Sequence, residues 1–199
     1  MLSRRMAVEA IVDNVQERDA VVSALGYVSR EVHAHSATMR DRCFYCMGSM
    51  GSVTPLALGI ALARPDIGVF ALEGDGSLLM NLGTLVTVRR YGPPQLRLVI
   101  FDNGHYESTG GQPSQPDGFA LEDVCVAVGL TSMVARSAAD IALFMTERDV
   151  RVLVIKTTLG GRPPRIVESP AVIAARFARW LPDVDEVGVP RISAEASVR

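Results

Sequence analysis

Residues 67–103 read IGVFALEGDGSLLMNLGTLVTVRRYGPPQLRLVIFDN, which is two apolar runs separated by one helix-length segment. The runs, Ile67 to Leu72 and Leu96 to Phe101, are apolar except for Arg97, as expected for strands covered by helices on both faces. Between them lies a stripe of apolar residues at helical spacing, Leu78, Leu82, Leu85 and Val86. This stretch therefore predicts one strand-helix-strand unit of a parallel sheet.

The same alternation of apolar runs and helical stripes continues along the rest of the chain. Further strand candidates are Ala20 to Leu25, Cys43 to Met47, Ser132 to Ala135 and Arg151 to Ile155. Helical stripes fall at Val8, Ile11, Val12 and Val15, and again at Val53, Leu56, Ala57 and Ile60. A last helix is predicted from Ser169-Pro170, with one face formed by Ile173, Phe177 and Trp180. We therefore predict an α/β fold, a doubly wound parallel sheet with helices on both faces.

Composition limits the kind of protein and its partners. The 199 residues are 48% apolar and 21% charged, which predicts one domain over residues 1–182 followed by a polar tail at 183–199. The net charge of -2 argues against a nucleic-acid partner, because proteins that bind nucleic acids usually carry an excess of positive charge. The apolar runs are far shorter than the roughly 20 residues of a membrane span, and the N-terminus lacks a signal-peptide hydrophobic region. We therefore expect a cytoplasmic protein without a membrane partner, and its three cysteines give no disulfide framework.

Glycines and polar residues follow four of the predicted strands. The segments are Gly26-Tyr27, Gly48-Ser49-Met50-Gly51, Gly74-Asp75-Gly76-Ser77 and Asp102-Asn103-Gly104-His105. Ligands of doubly wound sheets bind outside the carboxyl ends of the strands, where the strand order reverses, so these loops should converge on one crevice. A tight turn explains each glycine alone. Together these glycine turns expose the backbone N–H groups and positive dipole ends of two helix N-termini to the crevice. That arrangement suits a phosphate.

Asp75 is an unusual neighbour for a phosphate. No Gly-x-x-x-x-Gly-Lys motif is present, and a dinucleotide fingerprint starting at Gly74 would have Leu79 in place of its third glycine. A carboxylate repels a pyrophosphate unless a divalent cation lies between them. Asn103, 28 positions after Asp75, and a backbone oxygen near His105 would complete a set of oxygen ligands suited to Mg²⁺.

These residues carry a resemblance to a known family. Gly-Asp-Gly at 74–76, followed after a strand-helix-strand interval by Asn103, resembles the thiamine-diphosphate motif. Residues 44–51, 74–83 and 108–112 also resemble the thiamine-diphosphate-dependent decarboxylases of sulfopyruvate and phosphonopyruvate. The likeness extends over roughly Val21 to Thr158 and includes nearly all of a diphosphate-binding domain.

The resemblance implies two cofactors, thiamine diphosphate and Mg²⁺, and assigns residues to both. Asp75, Asn103 and the His105 carbonyl are the implied metal ligands. The Gly48 carbonyl would accept a hydrogen bond from the aminopyrimidine, and Met50 would bend the cofactor. Met50 and His105 are the implied catalytic residues. The implied cofactor-binding set is Gly26, Tyr27, Gly48, Ser49, Met50, Gly74, Asp75, Gly76, Ser77, Asn103, His105 and Tyr106.

The resemblance also implies a second polypeptide. In this family, the glutamate that activates the cofactor belongs to a pyrimidine-binding domain, for which 199 residues leave no room. We therefore expect the β subunit of a two-subunit 2-oxo acid decarboxylase, with a separate α subunit in an α2β2 or larger hetero-oligomer. The small substrate would be phosphonopyruvate or sulfopyruvate. A split acetolactate-synthase-like carboligase and a cofactor-binding subunit without catalysis are the alternatives.

Several side chains near the predicted crevice have open roles. The His105 ring is either a proton donor or anion contact for substrate, or structural. Glu107 departs from the small residue typical of the relatives, and it would repel an anionic substrate unless it pairs with an arginine or points away. Arg162 and Arg165 are candidates to bind the anionic end of the substrate or the partner subunit. The loop from Tyr106 to Pro116 is predicted to cover the site.

Other candidates are assigned structural or surface roles. Cys43 and Cys46 have no second cysteine pair, so metal binding is disfavoured. Three thiols also cannot supply the four ligands of an iron-sulfur cluster, which weighs against the 2-oxoacid ferredoxin oxidoreductases. His33 and His35 are expected to be solvated.

Overall fold

A parallel sheet runs through residues 1–181, the part of the chain that the computed structural model describes. Its seven strands have the order β1-β9-β5-β4-β2-β3, and β8 pairs with β9 on the side where β1 also pairs. The bounds of the strands are β1 (Leu2–Ser3), β2 (Ala20–Ser23), β3 (Cys43–Tyr45), β4 (Val69–Gly74), β5 (Leu96–Asp102), β6 (His105–Tyr106), β7 (Gln112–Pro113), β8 (Ser132–Ala135) and β9 (Val152–Thr158). Strands β6 and β7 form a separate antiparallel hairpin.

Helices cover both faces of the sheet, which confirms the predicted fold class. Helix α1 packs against α2 and α7, whereas α3 packs against α5 and strands β2, β4 and β5. The central strands are buried almost throughout, because both faces are covered. The helices are α1 (Arg4–Val12), α2 (Tyr27–His35), a 3₁₀ helix (Ala37–Arg42), α3 (Val53–Ala63), α4 (Asp75–Met80), α5 (Thr84–Tyr91), α6 (Leu121–Ala127), α7 (Ala138–Thr146) and α8 (Pro170–Trp180).

The strand order reverses between β2 and β4. The chain passes from β2 to its neighbour β3, then crosses back over β2 to form β4 on the other side, and continues outward through β5 to β9. A crevice opens at such a reversal, outside the carboxyl ends of the two strands. The topology therefore places a ligand site where β2 ends before Gly26 and where β4 ends at Gly74.

All six predicted strands are present, with bounds that differ by a few residues. β4 begins two residues later than predicted and reaches Gly74, so the strand itself delivers Asp75 to the sheet edge. The sequence did not indicate the two-residue strand β1 or the β6–β7 hairpin. Helix α8 begins as predicted, because the Ser169 side chain accepts a hydrogen bond from the Val172 amide at 3.3 Å.

Some predicted helix details are wrong. The stripe from Leu78 to Val86 is two helices rather than one, because Asn81 has a non-helical backbone (φ −141°, ψ 48°) and its side chain donates to the Gly51 carbonyl. Val86 is 59% exposed, and Leu56 on α3 is also partly exposed. Val15 is buried, but it lies beyond the end of α1.

The sequence also made predictions about the C-terminal tail and about the membrane. The polar tail predicted at 183–199, together with residue 182, lies outside the described residues. Within residues 1–181, no helix combines the length and the apolar character that a membrane crossing requires.

Candidate functional site

A cleft opens at the reversal of strand order, and most of the predicted site residues line it. This strand-end cleft encloses about 590 Å³, part of which is open to solvent. Gly26 and Gly48 line an adjoining pocket, and Ser49 is exposed outside both. The predicted residues in the wall of the strand-end cleft are Tyr27, Met50, Gly74, Asp75, Gly76, Ser77, Asn103, His105 and Tyr106.

Asp75 is a buried carboxylate that has no positively charged partner. Its side chain is 3% exposed and accepts a hydrogen bond from the Ser114 hydroxyl at 2.5 Å. No arginine, lysine or histidine within residues 1–181 forms an ion pair with it. Burial raises the pKa of Asp75, and the nearby Asp102 carboxylate adds to this increase. A cation bound beside Asp75 would remove this cost, so the position suits a metal ion.

Asp102, the other carboxylate at this edge, is already neutralised. The Lys156 ammonium donates to its Oδ2 at 2.7 Å, while the Gln115 side chain and the Gly104 amide donate to its Oδ1. Lys156 also pairs with Glu122 at 2.7 Å. Asp102 therefore holds the end of β5 in place, and Asp75 is the carboxylate available to a cation.

The side-chain amide of Asn103 is held at both its nitrogen and its oxygen. Its Nδ2 donates to Glu107 at 3.0 Å, and its Oδ1 accepts from the His105 amide at 2.9 Å. An amide oxygen has two lone pairs, so Oδ1 keeps one for a further donor or a cation. Glu107 in turn forms a partly buried ion pair with Arg4 and accepts from the Gly160 amide at 2.8 Å. The arginine partner that the sequence left open for Glu107 is therefore Arg4.

A second buried carboxylate, Glu73, ties two loops of the cleft together. Its Oε2 accepts from the Thr54 amide at 3.1 Å and from the Thr54 hydroxyl at 2.9 Å. Its Oε1 accepts from the Ser77 hydroxyl at 2.5 Å, and the oxygen of that hydroxyl accepts from the Gly51 amide at 3.0 Å. Burial raises the pKa of Glu73 despite these hydrogen bonds. The network fixes the loop that carries Met50 against the turn that carries Asp75.

Gly76 allows an aromatic ring to close one wall. A Cβ atom at this position would lie 2.4 Å from Cε1 of Tyr106, too close for any side chain. The Tyr106 ring therefore packs directly on the Gly76 backbone. Glycine is required here by this close approach, as well as by any ligand that contacts the turn.

The His105 ring is oriented by a single hydrogen bond. Its Nδ1 lies 2.8 Å from the Asn103 carbonyl oxygen. A carbonyl can only accept, so Nδ1 carries the hydrogen and, in the neutral ring, Nε2 has the free lone pair. Because His105 lines the strand-end cleft, Nε2 is positioned to exchange a proton or a hydrogen bond with a ligand.

A comparison with known families identifies the family to which the chain belongs. Residues 24–154 match the sequence profile of the family described as "Thiamine pyrophosphate enzyme, C-terminal TPP binding domain". This chain belongs to that family. The matched range contains every residue of the predicted site, which confirms the resemblance read from the Gly-Asp-Gly motif and Asn103.

Individual relatives of this TPP-binding domain carry more specific names. The chain is 34% identical over 171 residues to sulfopyruvate decarboxylase subunit beta of Methanocaldococcus jannaschii, covering 83% of this chain and 89% of that one. The same-named subunit of Methanothermobacter thermautotrophicus is 41% identical over 143 residues, 71% of this chain and 73% of that one. Phosphonopyruvate decarboxylase of Streptomyces hygroscopicus is 38% identical over 138 residues, 69% of this chain and 34% of that one.

Solved structures share the fold of this TPP-binding domain. Benzoylformate decarboxylase from Polynucleobacter necessarius superposes with a TM-score of 0.66 over 80% of this chain, at 17% identity. The chain spans 34% of the length of that protein. This likeness extends to the fold alone.

The loop of the TPP-binding domain that contains Met50 has two turns. Gly48 and Gly51 both have positive φ, at 84° and 78°, and a Cβ on Gly51 would lie 2.8 Å from the Asn81 Cβ. Met50 lies between them, lines the strand-end cleft and is 37% exposed. The large apolar side chain of Met50 therefore lines the cleft wall, on a loop whose two flanking glycines have backbone conformations that other residues rarely adopt.

The remaining candidates of the TPP-binding domain are structural. Cys43 and Cys46 are buried thiols, and burial raises their pKa to about 11 and about 12. No three His, Cys, Asp or Glu side chains converge on a metal position within residues 1–181. His33 and His35, expected to be solvated, are partly exposed and also have acidic partners, because His33 contacts Glu168 at 3.2 Å and His35 contacts an aspartate at 2.7 Å. Both rings are half-buried.

Sequence reasoning missed four residues that shape the strand-end cleft. Glu73 could have been found, since it is a lone charged residue at the end of an apolar strand. Ser114 lies in the loop that was predicted to cover the site. Arg4 and Thr54 gave no signal, because both reach the site through contacts distant in sequence.

Proposed function

We propose that this chain is the diphosphate-binding β subunit of a two-subunit thiamine-diphosphate-dependent decarboxylase. Its substrate would be a 2-oxo acid with an anionic 3-substituent, sulfopyruvate or phosphonopyruvate. The observation that carries the proposal is the buried, cation-free carboxylate of Asp75 beside Asn103 in a TPP-binding domain. The names of relatives that match this chain over most of its length support the choice of reaction and substrate.

The residues of the cleft fit a magnesium ion. A carboxylate oxygen of Asp75, the free lone pair of Asn103 Oδ1 and the His105 carbonyl are hard oxygen donors of the kind that Mg²⁺ prefers. Mg²⁺ commonly binds with one or two carboxylates, completing its sphere with phosphate oxygens and water. A site with a single carboxylate is also consistent with the lack of converging His, Cys, Asp and Glu side chains in the described part of the chain.

The diphosphate would lie against backbone amides rather than hydroxyl groups. The Ser77 hydroxyl already donates to Glu73 and accepts from Gly51, so we assign the contact at this turn to the amides of Gly76 and Ser77. At the start of α2, Gly26 has no side chain to cap the helix, which leaves its first turn open to an anion. With a cation on Asp75, both positions favour a diphosphate.

Side chains of the cleft would direct the reaction. Thiamine diphosphate, when bound, supplies the electron sink that allows a 2-oxo acid to lose carbon dioxide. Met50 would hold the bound cofactor in its bent form from the exposed wall of the cleft. His105 would hold or donate a proton at Nε2, the nitrogen left free by its bond to Asn103. The carboxylate of Glu107 does not repel the substrate, because Arg4 neutralises it.

A separate α subunit would complete the site with the pyrimidine-binding half and the activating glutamate. The strand-end cleft is partly open to solvent, and Met50 contributes exposed apolar surface beside it. The word "subunit" in the names of the relatives supports such an arrangement. We propose an α2β2 or larger hetero-oligomer.

The test is a calorimetric titration of thiamine diphosphate into the complex co-purified with its α subunit. We expect binding with Mg²⁺ and none with excess chelator, because Asp75 and the diphosphate would otherwise repel each other. Asp75→Asn should bind the cofactor without this metal dependence or not at all. Asp117→Asn, at an exposed aspartate just after the predicted covering loop, is the matched control and should behave as wild type.

Products identify the reaction. The complex should release carbon dioxide and the corresponding aldehyde from sulfopyruvate or phosphonopyruvate, and the isolated chain should not. Metal-independent cofactor binding by wild type would contradict the metal assignment. Turnover by the isolated chain would contradict the two-subunit assignment, and a carbon–carbon coupling product would favour the carboligase alternative.

A further inference from the structure

A pocket with two arginines adjoins the strand-end cleft. This arginine pocket is lined by Arg30 of α2 and Arg165 of the segment before α8, with Gly26, Cys46, Met47 and Gly48 among its other walls. It encloses about 820 Å³, part of which is open to solvent. Leu25, Ser108 and Thr109 belong to both walls, so the two spaces are neighbours. A small molecule could therefore extend from one into the other.

The charge of the arginine pocket is uncompensated. No aspartate or glutamate lines it, and neither Arg30 nor Arg165 pairs with a carboxylate within residues 1–181. Two other arginines near this edge have carboxylates close by. Arg4 pairs with two glutamates, and Arg162 lines a separate pocket whose wall contains two glutamates. Positive charge beside the strand-end cleft is thus concentrated in the arginine pocket.

One of the two guanidinium groups is held by an aromatic ring. The Cζ atom of Arg30 lies 5.3 Å from the centroid of the Tyr27 ring, which itself lines the strand-end cleft. Stacking of this kind restrains the plane of the guanidinium but leaves its N–H groups free for an anion. The Ser108 hydroxyl stands beside the same corner, since a Cβ on Gly26 would lie 3.0 Å from its oxygen.

We infer that Arg30 and Arg165 bind the sulfonate or phosphonate group of the substrate and set the preference for anionic 2-oxo acids. The inference rests on the proposed function, and it names the side chains that recognise the anionic end. Sulfonate and phosphonate oxygens match the forked donors of arginine. A substrate without this group, such as pyruvate, would leave both guanidinium groups unpaired and so gains nothing from them.

The experiment compares substrates in the assembled complex. We expect Arg30→Gln and Arg165→Gln each to lower kcat/KM for sulfopyruvate or phosphonopyruvate, relative to pyruvate, by about 10-fold. Lysine at either position should restore part of the ratio, because the charge returns without the forked donors. Arg162→Gln, three residues from Arg165 but in another pocket, should leave the ratio unchanged.

A binding measurement separates this inference from the proposed function. Sulfoacetate and phosphonoacetate, which do not react, are titrated into the complex by calorimetry, with and without bound cofactor. Binding that is lost in the Arg30→Gln/Arg165→Gln double variant supports the arginine pocket even if no decarboxylation is found. No binding to wild type, equal binding to the double variant, or an unchanged substrate ratio in all variants would overturn it.

Discussion

Replacing Glu73 with alanine should destabilise the fold by about 3 kcal/mol. The change removes the acceptor of three buried donors, namely the Thr54 amide, the Thr54 hydroxyl and the Ser77 hydroxyl. Each lost bond to a charged group costs about 1.5 kcal/mol. Relief of the burial that raises the pKa of Glu73 returns about 1–2 kcal/mol of the total of about 4.5 kcal/mol.

Glutamine at position 73 is the matched variant for this prediction. Its carbonyl oxygen can serve both Thr54 donors, and its amide can donate to Ser77, so we expect a loss of about 1 kcal/mol. Urea unfolding of the purified chain, followed by circular dichroism, measures both variants. The alanine variant should also melt roughly 6–12 °C below wild type.

A double-mutant cycle tests whether the hydrogen bonds are the cause. Thr54→Val should destabilise wild type but have little further effect in Glu73→Ala, with a coupling energy of about 1 kcal/mol or more. Alanine and glutamine variants of equal stability would refute the reasoning. So would additive effects of the Thr54 and Glu73 changes, because the network would then contribute nothing.

Three further predictions concern other buried or partly buried groups. Arg4→Met should cost about 3 kcal/mol in urea unfolding, because it leaves the partly buried Glu107 without its cation; a loss below about 1 kcal/mol would contradict this. Burial of Glu168 raises its pKa, but hydrogen bonds from Arg176 and His33 outweigh this and lower it. The stability that Glu168→Gln removes should therefore be present at pH 7 and vanish as the pH falls below about 4, and an acid-independent difference would be inconsistent. At pH 8, iodoacetamide should label the thiols only after unfolding, because burial raises the pKa values of Cys43, Cys46 and Cys125.

The features that could be predicted from the sequence are those determined by neighbouring residues. The runs from Ile67 to Leu72 and from Leu96 to Phe101 are apolar apart from Arg97, so their strands and the polar residues at their ends follow directly from the sequence. The convergence of Asp75 and Asn103 at one edge also follows, because adjacent parallel strands end on the same side.

The predictions that were wrong concern details that depend on contacts between residues distant in sequence. Nothing near Asn81 in the sequence shows that its side chain bonds to Gly51, and this bond accompanies the break between α4 and α5. With the break, Val86 turns to solvent although it fits the helical stripe. The acidic partner of His33 was not predicted for the same reason, since it lies 135 residues away.

The division of charge along the sheet edge explains how a carboxylate can stand near an anionic substrate. Strand β1 pairs with the last residues of β9 and so brings Arg4 to Glu107, whose carboxylate also holds Asn103. Arg4 is therefore neutralised and cannot attract a substrate anion. The Tyr27 ring is contacted by Arg4 and also by Arg30, which belongs to the arginine pocket. That pocket has two cations and no carboxylate in its wall. If Glu107 were changed to glutamine, Arg4 would keep Glu31 as a carboxylate partner, but its Nη1 would lose Glu107 and could compete for the anion within the strand-end cleft. The variant should then bind sulfoacetate more tightly but lose its preference for anionic substrates, because the anion would be held at the wrong arginine.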